Sequence, residues 1–251
     1  MKKNYKGIIL AGGKGTRLSP LTKVVSKQLL PIYDKPMIYY PIETLVRSGI
    51  EEILIITTPE DKDIFEDLIG DGSIFNCKIT FTTQEKPEGI AQAFLIAENW
   101  LSDSPSVLIL GDNIFLKGNI SNLIRKSLTK NNGATIFAYS VDDPSRYGVV
   151  NLGSNDEVLA IEEKPQKPKS TWAVTGLYIY NNLATKEVKN LKPSKRGELE
   201  ITDLNNIFLE KYQMDVVFLP KNSYWLDAGT INSLLEAGNL VKKLKDKGNI
   251  Y

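Results

Sequence analysis

The chain is 251 residues long, 42% hydrophobic and 24% charged, with 31 Lys plus Arg against 30 Asp plus Glu. That length suits one large domain or two small ones, and the charge balance argues against a nucleic-acid polymer or an anionic membrane as the main partner. A single cysteine, Cys77, and no histidine exclude an internal disulfide, Ser-His-Asp and Cys-His catalysis, and the usual zinc and iron ligand sets.

In chain order, the basic start Met1–Lys6 is followed by an apolar run, Ile8–Ala11, too short for a signal peptide. No stretch reaches the ~20 apolar residues of a membrane helix, so a cytoplasmic protein is expected. Apolar, β-branched runs predict buried strands at Gly7–Ala11, Glu52–Thr57, Lys78–Thr82 and Ser106–Leu110. Amphipathic patterns predict helices between them at Pro36–Arg47, Asp61–Ile69 and Ile90–Trp100. Such alternation argues for a mostly parallel sheet covered on both faces. The second half changes character, with strands expected at Thr135–Val141, Tyr147–Leu152, Val158–Glu163 and Ala173–Tyr180 between turn-rich loops. Helices at Leu199–Tyr212 and Ile231–Lys245 are expected to bracket a strand at Val216–Leu219. The expected fold class is α/β: a Rossmann-like, mostly parallel mixed sheet flanked by helices, with a small antiparallel extension.

Three stretches carry candidate chemistry. Leu10-Ala11-Gly12-Gly13-Lys14-Gly15-Thr16-Arg17 follows the first strand. Glycines there let backbone amides approach phosphates, and the cations Arg17 and Lys27 lie on the same segment. The spelling fits neither a P-loop, which needs Ser or Thr after Gly13-Lys14, nor a dinucleotide fingerprint, because Leu18 stands where a third glycine belongs. A tight strand-to-loop turn is the bland alternative. Asp112, in Leu110-Gly111-Asp112-Asn113, ends a buried strand where open α/β sheets bind ligands, and a carboxylate there holds Mg²⁺ or merely caps a helix. Asp227, in Trp225-Leu226-Asp227-Ala228-Gly229, is the second candidate carboxylate. Glu162-Glu163-Lys164-Pro165 and Lys195-Arg196-Gly197-Glu198-Leu199-Glu200 read as solvated charge runs unless their loops turn toward a phosphate.

Taken with Lys6–Gly13, Ser26–Pro31, Tyr33–Pro41, Arg146–Val150, Ala173–Tyr178 and Arg196–Asp203, these motifs resemble the sugar nucleotidyltransferases over nearly the whole chain. Within them they are similar to the glucose-1-phosphate thymidylyltransferase branch, the dTDP-glucose pyrophosphorylases. The resemblance implies one domain over residues 1–251, with a nucleotide part near 1–115, a sugar part near 116–230 and a C-terminal helix at 231–245. It implies that glucose 1-phosphate attacks dTTP, giving dTDP-glucose and pyrophosphate with Mg²⁺, and feeds dTDP-rhamnose or related deoxysugar synthesis.

By the same carry-over, Leu10, Ala11, Gly12, Gly13, Gly15, Thr16 and Arg17 would hold the nucleotide. Lys27 would add positive charge at the phosphates, Gln28 would face the deoxyribose, and Gln84 and Gly89 would read thymine. Asp112 and Asp227 would hold Mg²⁺. Lys164 and Arg196 would bind the sugar phosphate, with Asn113, Gly148, Glu163 and Val174 on sugar hydroxyls and Tyr147 and Trp225 walling the pocket. A homo-oligomer, dimer or tetramer, is expected, with no nucleic-acid polymer and no membrane as partner.

Two departures stand out. Ala228 replaces the Thr usual after that aspartate. The end of the chain reads as a frayed basic tail from Val241 onward, which predicts weak, mainly competitive inhibition by dTDP-rhamnose. The rivals are a nucleotidyltransferase using UTP or another sugar 1-phosphate, a nucleotide-sugar glycosyltransferase, and an inactive homologue. The glycosyltransferase usually shows Asp-x-Asp, which Gly111-Asp112-Asn113 lacks. An inactive homologue is disfavoured by the presence of Arg17, Asp112, Lys164 and Asp227.

Overall fold

A computed structural model of the protein describes residues 4–13 and 15–248. Lys14 of the glycine stretch, Met1–Lys3 and the last three residues therefore lie outside the described part. The chain forms two compact units, each assembled from separated stretches. One comprises residues 6–87, 109–125 and 221–251; the other comprises 1–5, 88–108 and 126–220.

In the unit that begins at Lys6, parallel pairing joins Lys6–Leu10 to Glu52–Thr57 and Glu52–Thr57 to Lys78–Thr83. Lys6–Leu10 and Glu52–Thr57 are apolar runs buried almost throughout, as a parallel sheet covered on both faces requires, whereas Lys78–Thr83 buries only Ile79. Helices Tyr39–Arg47 and Lys62–Ile69 follow the expected alternation. The first starts later than Pro36, because Lys35–Pro36 pairs instead with Pro31–Ile32 in a short hairpin. Pro41 sits in that helix's first turn, where its missing N–H has no intrahelical acceptor to lose.

Two strands the sequence reading passed over, Asn113–Lys117 and Ser223–Asp227, form an antiparallel ladder that pairs Asn113 with Asp227. The helix Ile120–Lys130 begins in this unit, also unforeseen. The C-terminal helix runs Ile231–Asp246, capped by Thr230 through a reciprocal box with Ser233. Its Val241 and Leu244 are buried in a cluster with Ile32, Met37, Tyr40 and Ala228. This corrects the expected frayed tail: the apolar face finds a partner in the Pro31–Ile32 hairpin and the helix after it. Ala228 is fully buried in that cluster, where a Thr hydroxyl would need a partner of its own.

The other unit is a mixed sheet. Val158–Glu163 pairs antiparallel with Gly148–Leu152, and Trp172–Tyr180 pairs antiparallel with Ala134–Ser140. Met214–Phe218 then lies parallel to Ala134–Ser140. Between Val174 and Tyr178 the register slips, a bulge in the middle of a buried strand. The predicted helix Ile90–Trp100 is two shorter ones, Gln92–Ile96 and Glu98–Leu101, meeting at Ala97. Helix Ile201–Lys211 lays Leu204, Asn205 and Phe208 inward, all fully buried. The α/β class, parallel pairs, covering helices and antiparallel strands match the expected architecture.

Candidate active site

In the first of these units the strand Lys6–Leu10 passes into Ala11, whose N–H donates to the Ile56 carbonyl at 2.7 Å. The glycines that follow are demanded by space and by backbone. A Cβ on Gly12 would stand 2.6 Å from Gln84 Oε1, so a side chain there would push the buried Gln84 amide aside. Gly15 has φ +60°, a left-handed conformation that side chains disfavour, and it leads into the short turn Thr16–Leu18 bearing Arg17. The Thr22 hydroxyl clamps the Gly15 carbonyl at 2.8 Å.

Asp112 lies two residues past the end of the buried strand Ser106–Leu110 and is itself only 8% exposed. Lys27 Nζ donates to its Oδ2, and Asn113 Nδ2 donates to its Oδ1 at 3.1 Å. Burial alone would raise the carboxyl, but the Lys27 charge and hydrogen bond, with the Asn113 hydrogen bond, hold it below the usual carboxylate range. Asp227 comes from the far end of the chain. The ladder sets it opposite Asn113, and Ala228 N–H donates to the Asp112 carbonyl at 3.2 Å. A Cβ on Gly229 would lie 2.8 Å from Arg17 Nη2 and 2.9 Å from Asp227 Oδ1, so both groups crowd over that glycine.

Gln28 is buried, takes a hydrogen bond from Ser26 Oγ at 2.9 Å and lies against Gly111. Trp225 Nε1 donates to Asn113 Oδ1 at 2.6 Å. Arg17, Lys27, Gln28, Gln84, Asp112, Asn113, Trp225 and Asp227 thus belong to one unit with the glycine stretch.

The second group lies in the other unit. Lys164 Nζ and Arg196 Nη2 approach the same atom, Glu163 Oε1, at 3.2 and 3.3 Å. Thr202 Oγ1 donates to Glu163 Oε2 at 2.5 Å. Arg196 also pairs with Glu200 at 2.8 Å. Burial lowers its guanidinium, but Glu200, Glu198 and Glu163 outweigh that and raise it. Lys164 takes φ +44°, unusual for a residue with a side chain, while its N–H donates to the Tyr147 carbonyl at 3.0 Å. Gly148 packs against Thr202 Oγ1 and Glu163 Oε2, and a Cβ there would sit 3.2 and 3.7 Å from them. Val174 opens the bulge of its strand. Gly89, with φ +103°, is wedged against the Leu199 backbone, leaving no room for a Cβ.

The structure also brings in residues the sequence reading left aside. Ser26 holds Gln28, Thr202 holds Glu163, Glu200 holds Arg196, and Gly229 underlies Arg17 and Asp227. Ser26 and Glu200 act on neighbours in their own motifs, Gln28 and Arg196, whereas Thr202 reaches a partner 39 residues away in sequence, Glu163.

The two candidate metal carboxylates fit a hard cation. Both donors are oxygen, and Mg²⁺ takes one or two carboxylates and completes its shell with phosphates and water. Among the described residues no three acidic or cysteine side chains cluster in metal-ligand fashion.

The nucleotidyl transferase family model matches residues 6–243. The glucose-1-phosphate thymidylyltransferase of Neisseria gonorrhoeae is 51% identical over 246 residues, spanning 98% of this chain and 85% of that protein. The same-named enzyme of Mycobacterium tuberculosis H37Rv is 48% identical over 240 residues, spanning 96% and 83%. A Bacillus anthracis structure with bound sucrose, provisionally named a glucose-1-phosphate thymidylyltransferase, superposes with a TM-score of 0.88 at 42% identity over 95% of both chains. A UDP-glucose pyrophosphorylase solved with UDP-glucose gives a TM-score of 0.80 at 26% identity over 95% of this chain and 98% of that one.

Proposed function

The chain belongs to the nucleotidyl transferase family, in its glucose-1-phosphate thymidylyltransferase branch, and from that premise we propose how its residues run the reaction. A phosphate oxygen of glucose 1-phosphate attacks the α-phosphorus of dTTP. The bond from the α-phosphorus to the bridging oxygen breaks, and pyrophosphate leaves. The attacking oxygen is already anionic, so no general base is needed. Catalysis reduces to aligning two polyanions and neutralising their repulsion, which a chain without histidine can do.

The amides of Gly12, Gly13 and Gly15, with Leu10, Ala11 and Thr16 around them, receive the nucleotide. Arg17 stabilises the departing pyrophosphate. Gln84 and Gly89 read the thymine edge, and Gln28, held by Ser26, meets the deoxyribose. Lys27 keeps Asp112 ionised and adds charge at the phosphates. Asp112 and Asp227 would hold Mg²⁺, which when bound neutralises charge on the α-phosphate. Lys164 and Arg196 take the sugar phosphate. Asn113, Gly148, Glu163 and Val174 take the sugar hydroxyls, with Tyr147 and Trp225 against the ring. The proposal extends to one nucleotidyltransferase domain, a homo-oligomer in the cytoplasm, and a product consumed in dTDP-deoxysugar synthesis.

The observation that carries this reading is the pairing of Asp227 with Asn113, the residue after Asp112, at one ladder end, with Lys27 on Asp112 and Arg17 beside Asp227 across Gly229. Pyrophosphate release with glucose 1-phosphate across dTTP, UTP, CTP, ATP and GTP tests it. The expected result is the highest kcat/KM with dTTP; a higher value with UTP overturns the thymidylyl assignment.

A further inference from the structure

Trp225, Asn113 and Asp112 form a hydrogen-bonded series within one unit of the protein. The indole Nε1–H of Trp225 donates to Asn113 Oδ1 at 2.6 Å, Asn113 Nδ2 donates to Asp112 Oδ1 at 3.1 Å, and Lys27 Nζ donates to Oδ2. The members are covered: Trp225 is 7% exposed, Asn113 3% and Asp112 8%.

The ladder register produces this contact. Asn113 pairs with Asp227 and Phe115 with Trp225, so Trp225 and Asn113 are diagonal neighbours across the two strands. Chemistry sets the direction of the series. An indole nitrogen can only donate, so it selects the oxygen of the Asn113 amide. The amide nitrogen, a donor, is thereby turned to the carboxylate. With the amide reversed, an oxygen would face an anionic oxygen and an NH₂ would face an N–H, leaving buried polar groups unpaired on both sides.

We infer that Trp225 is a positioning residue for Asp112, acting through the Asn113 amide, in addition to any contact its ring makes with sugar. The indole N–H orients the amide, and the amide holds one carboxylate oxygen while Lys27 holds the other. Asp112 thus presents its remaining lone pairs in one orientation. The inference rests on the reading of Asp112 as a metal-holding carboxylate.

Mn²⁺, titrated onto the full-length protein and followed by the electron paramagnetic resonance of the free ion, serves as the probe. Trp225→Phe keeps an aromatic ring and deletes only the N–H donor, whereas Asn113→Leu keeps the size and deletes both amide atoms. Each should weaken Mn²⁺ binding by roughly tenfold or more, the range seen when groups that orient metal ligands are removed. The double variant should bind no more weakly than the worse single one, because both changes break the same series. KM for glucose 1-phosphate should move far less in Trp225→Phe than Mn²⁺ affinity does.

Unchanged Mn²⁺ binding by Trp225→Phe together with a raised KM for glucose 1-phosphate would reduce Trp225 to a pocket wall and overturn the inference. If Trp225→Phe does not fold, unchanged Mn²⁺ binding by Asn113→Leu does the same. Asp112→Asn separates the two levels. If it loses Mn²⁺ while Trp225→Phe and Asn113→Leu do not, only the positioning role falls. If it binds Mn²⁺ like the unsubstituted chain, or if that chain binds none, the metal assignment falls and the positioning role with it.

Discussion

Asp227 sits opposite Asn113 across an antiparallel ladder, one residue along from Asp112. The two acidic residues come from the middle and the end of the chain, and the backbone bond from Ala228 N–H to the Asp112 carbonyl closes the gap between their segments. Asp112→Asn and Asp227→Asn should therefore each cost a hundredfold or more in turnover, on the order of ~3 kcal/mol of transition-state stabilisation. Pyrophosphate release at saturating dTTP and ordinary Mg²⁺ measures this. Near-normal turnover in either variant contradicts the shared-cation assignment.

The Lys27–Asp112 pair predicts a pH signature. Burial raises the Asp112 carboxyl, and Lys27 reverses that shift to a net lowering. A carboxyl lowered by folding adds stability above its unfolded pKa and loses it as pH falls through the folded one. Lys27→Met removes the opposing charge, so burial decides the sign and the carboxyl rises. Stability from that site is then present below the unfolded pKa and lost as pH rises through the folded one. Thermal midpoints between about pH 4 and pH 8 should show the variant falling further behind the unsubstituted chain as pH rises. A gap that is constant, or that closes with pH, refutes the pairing argument.

Gly229→Ala tests the crowding of Arg17 and Asp227 over one backbone position. The new Cβ would be 2.8 Å from Arg17 Nη2 and 2.9 Å from Asp227 Oδ1, so both must move. Displacements of that order cost roughly a hundredfold in rate when the groups align reacting phosphates. The expected outcome is a large fall in kcat with little change in thermal midpoint. Full activity would separate these two groups from the reaction.

Lys164 and Arg17 are predicted to serve different substrates. Lys164 shares Glu163 with Arg196, whereas Arg17 follows the glycine stretch. Lys164→Ala should raise KM for glucose 1-phosphate more than KM for dTTP, and Arg17→Ala should do the reverse. Initial-rate kinetics with each substrate varied at a fixed concentration of the other decide it; equal effects of Lys164→Ala on both substrates count against the division.

Leu244→Ala tests the seating of the C-terminal helix. Leu244 is buried among Met37, Tyr40 and Val241. Truncation should cost about 2–5 kcal/mol, seen as a drop of several degrees in thermal midpoint. A shift of under a degree would mean that this turn of the helix is frayed after all.

Much of the fold was legible because its signals are local. Ile53–Ile56 and Val107–Leu110 are short, uninterrupted apolar runs, the pattern of a doubly covered strand, and strands Glu52–Thr57 and Ser106–Leu110 begin and end where the composition says. Side-chain chemistry is equally local. The absence of histidine, the glycines before Arg17 and the acid ending an apolar strand each restrict the reaction before any folding is considered.

Tertiary structure decided what depends on register between distant segments. Asn113–Lys117 and Ser223–Asp227 mix polar with apolar residues and exist as strands because each supplies the other's hydrogen bonds. That pairing joins Asp227 to Asn113 and sets Trp225 diagonal to it. Similarly, the Glu163 carboxylate gains its orientation from Thr202 on a separate helix, and Lys27 meets Asp112 only once its loop folds back. A residue's type and nearest neighbours determine what it can donate, accept or carry as charge. Which group faces it across the fold is set by strand register and packing, which lie in no single window of the sequence.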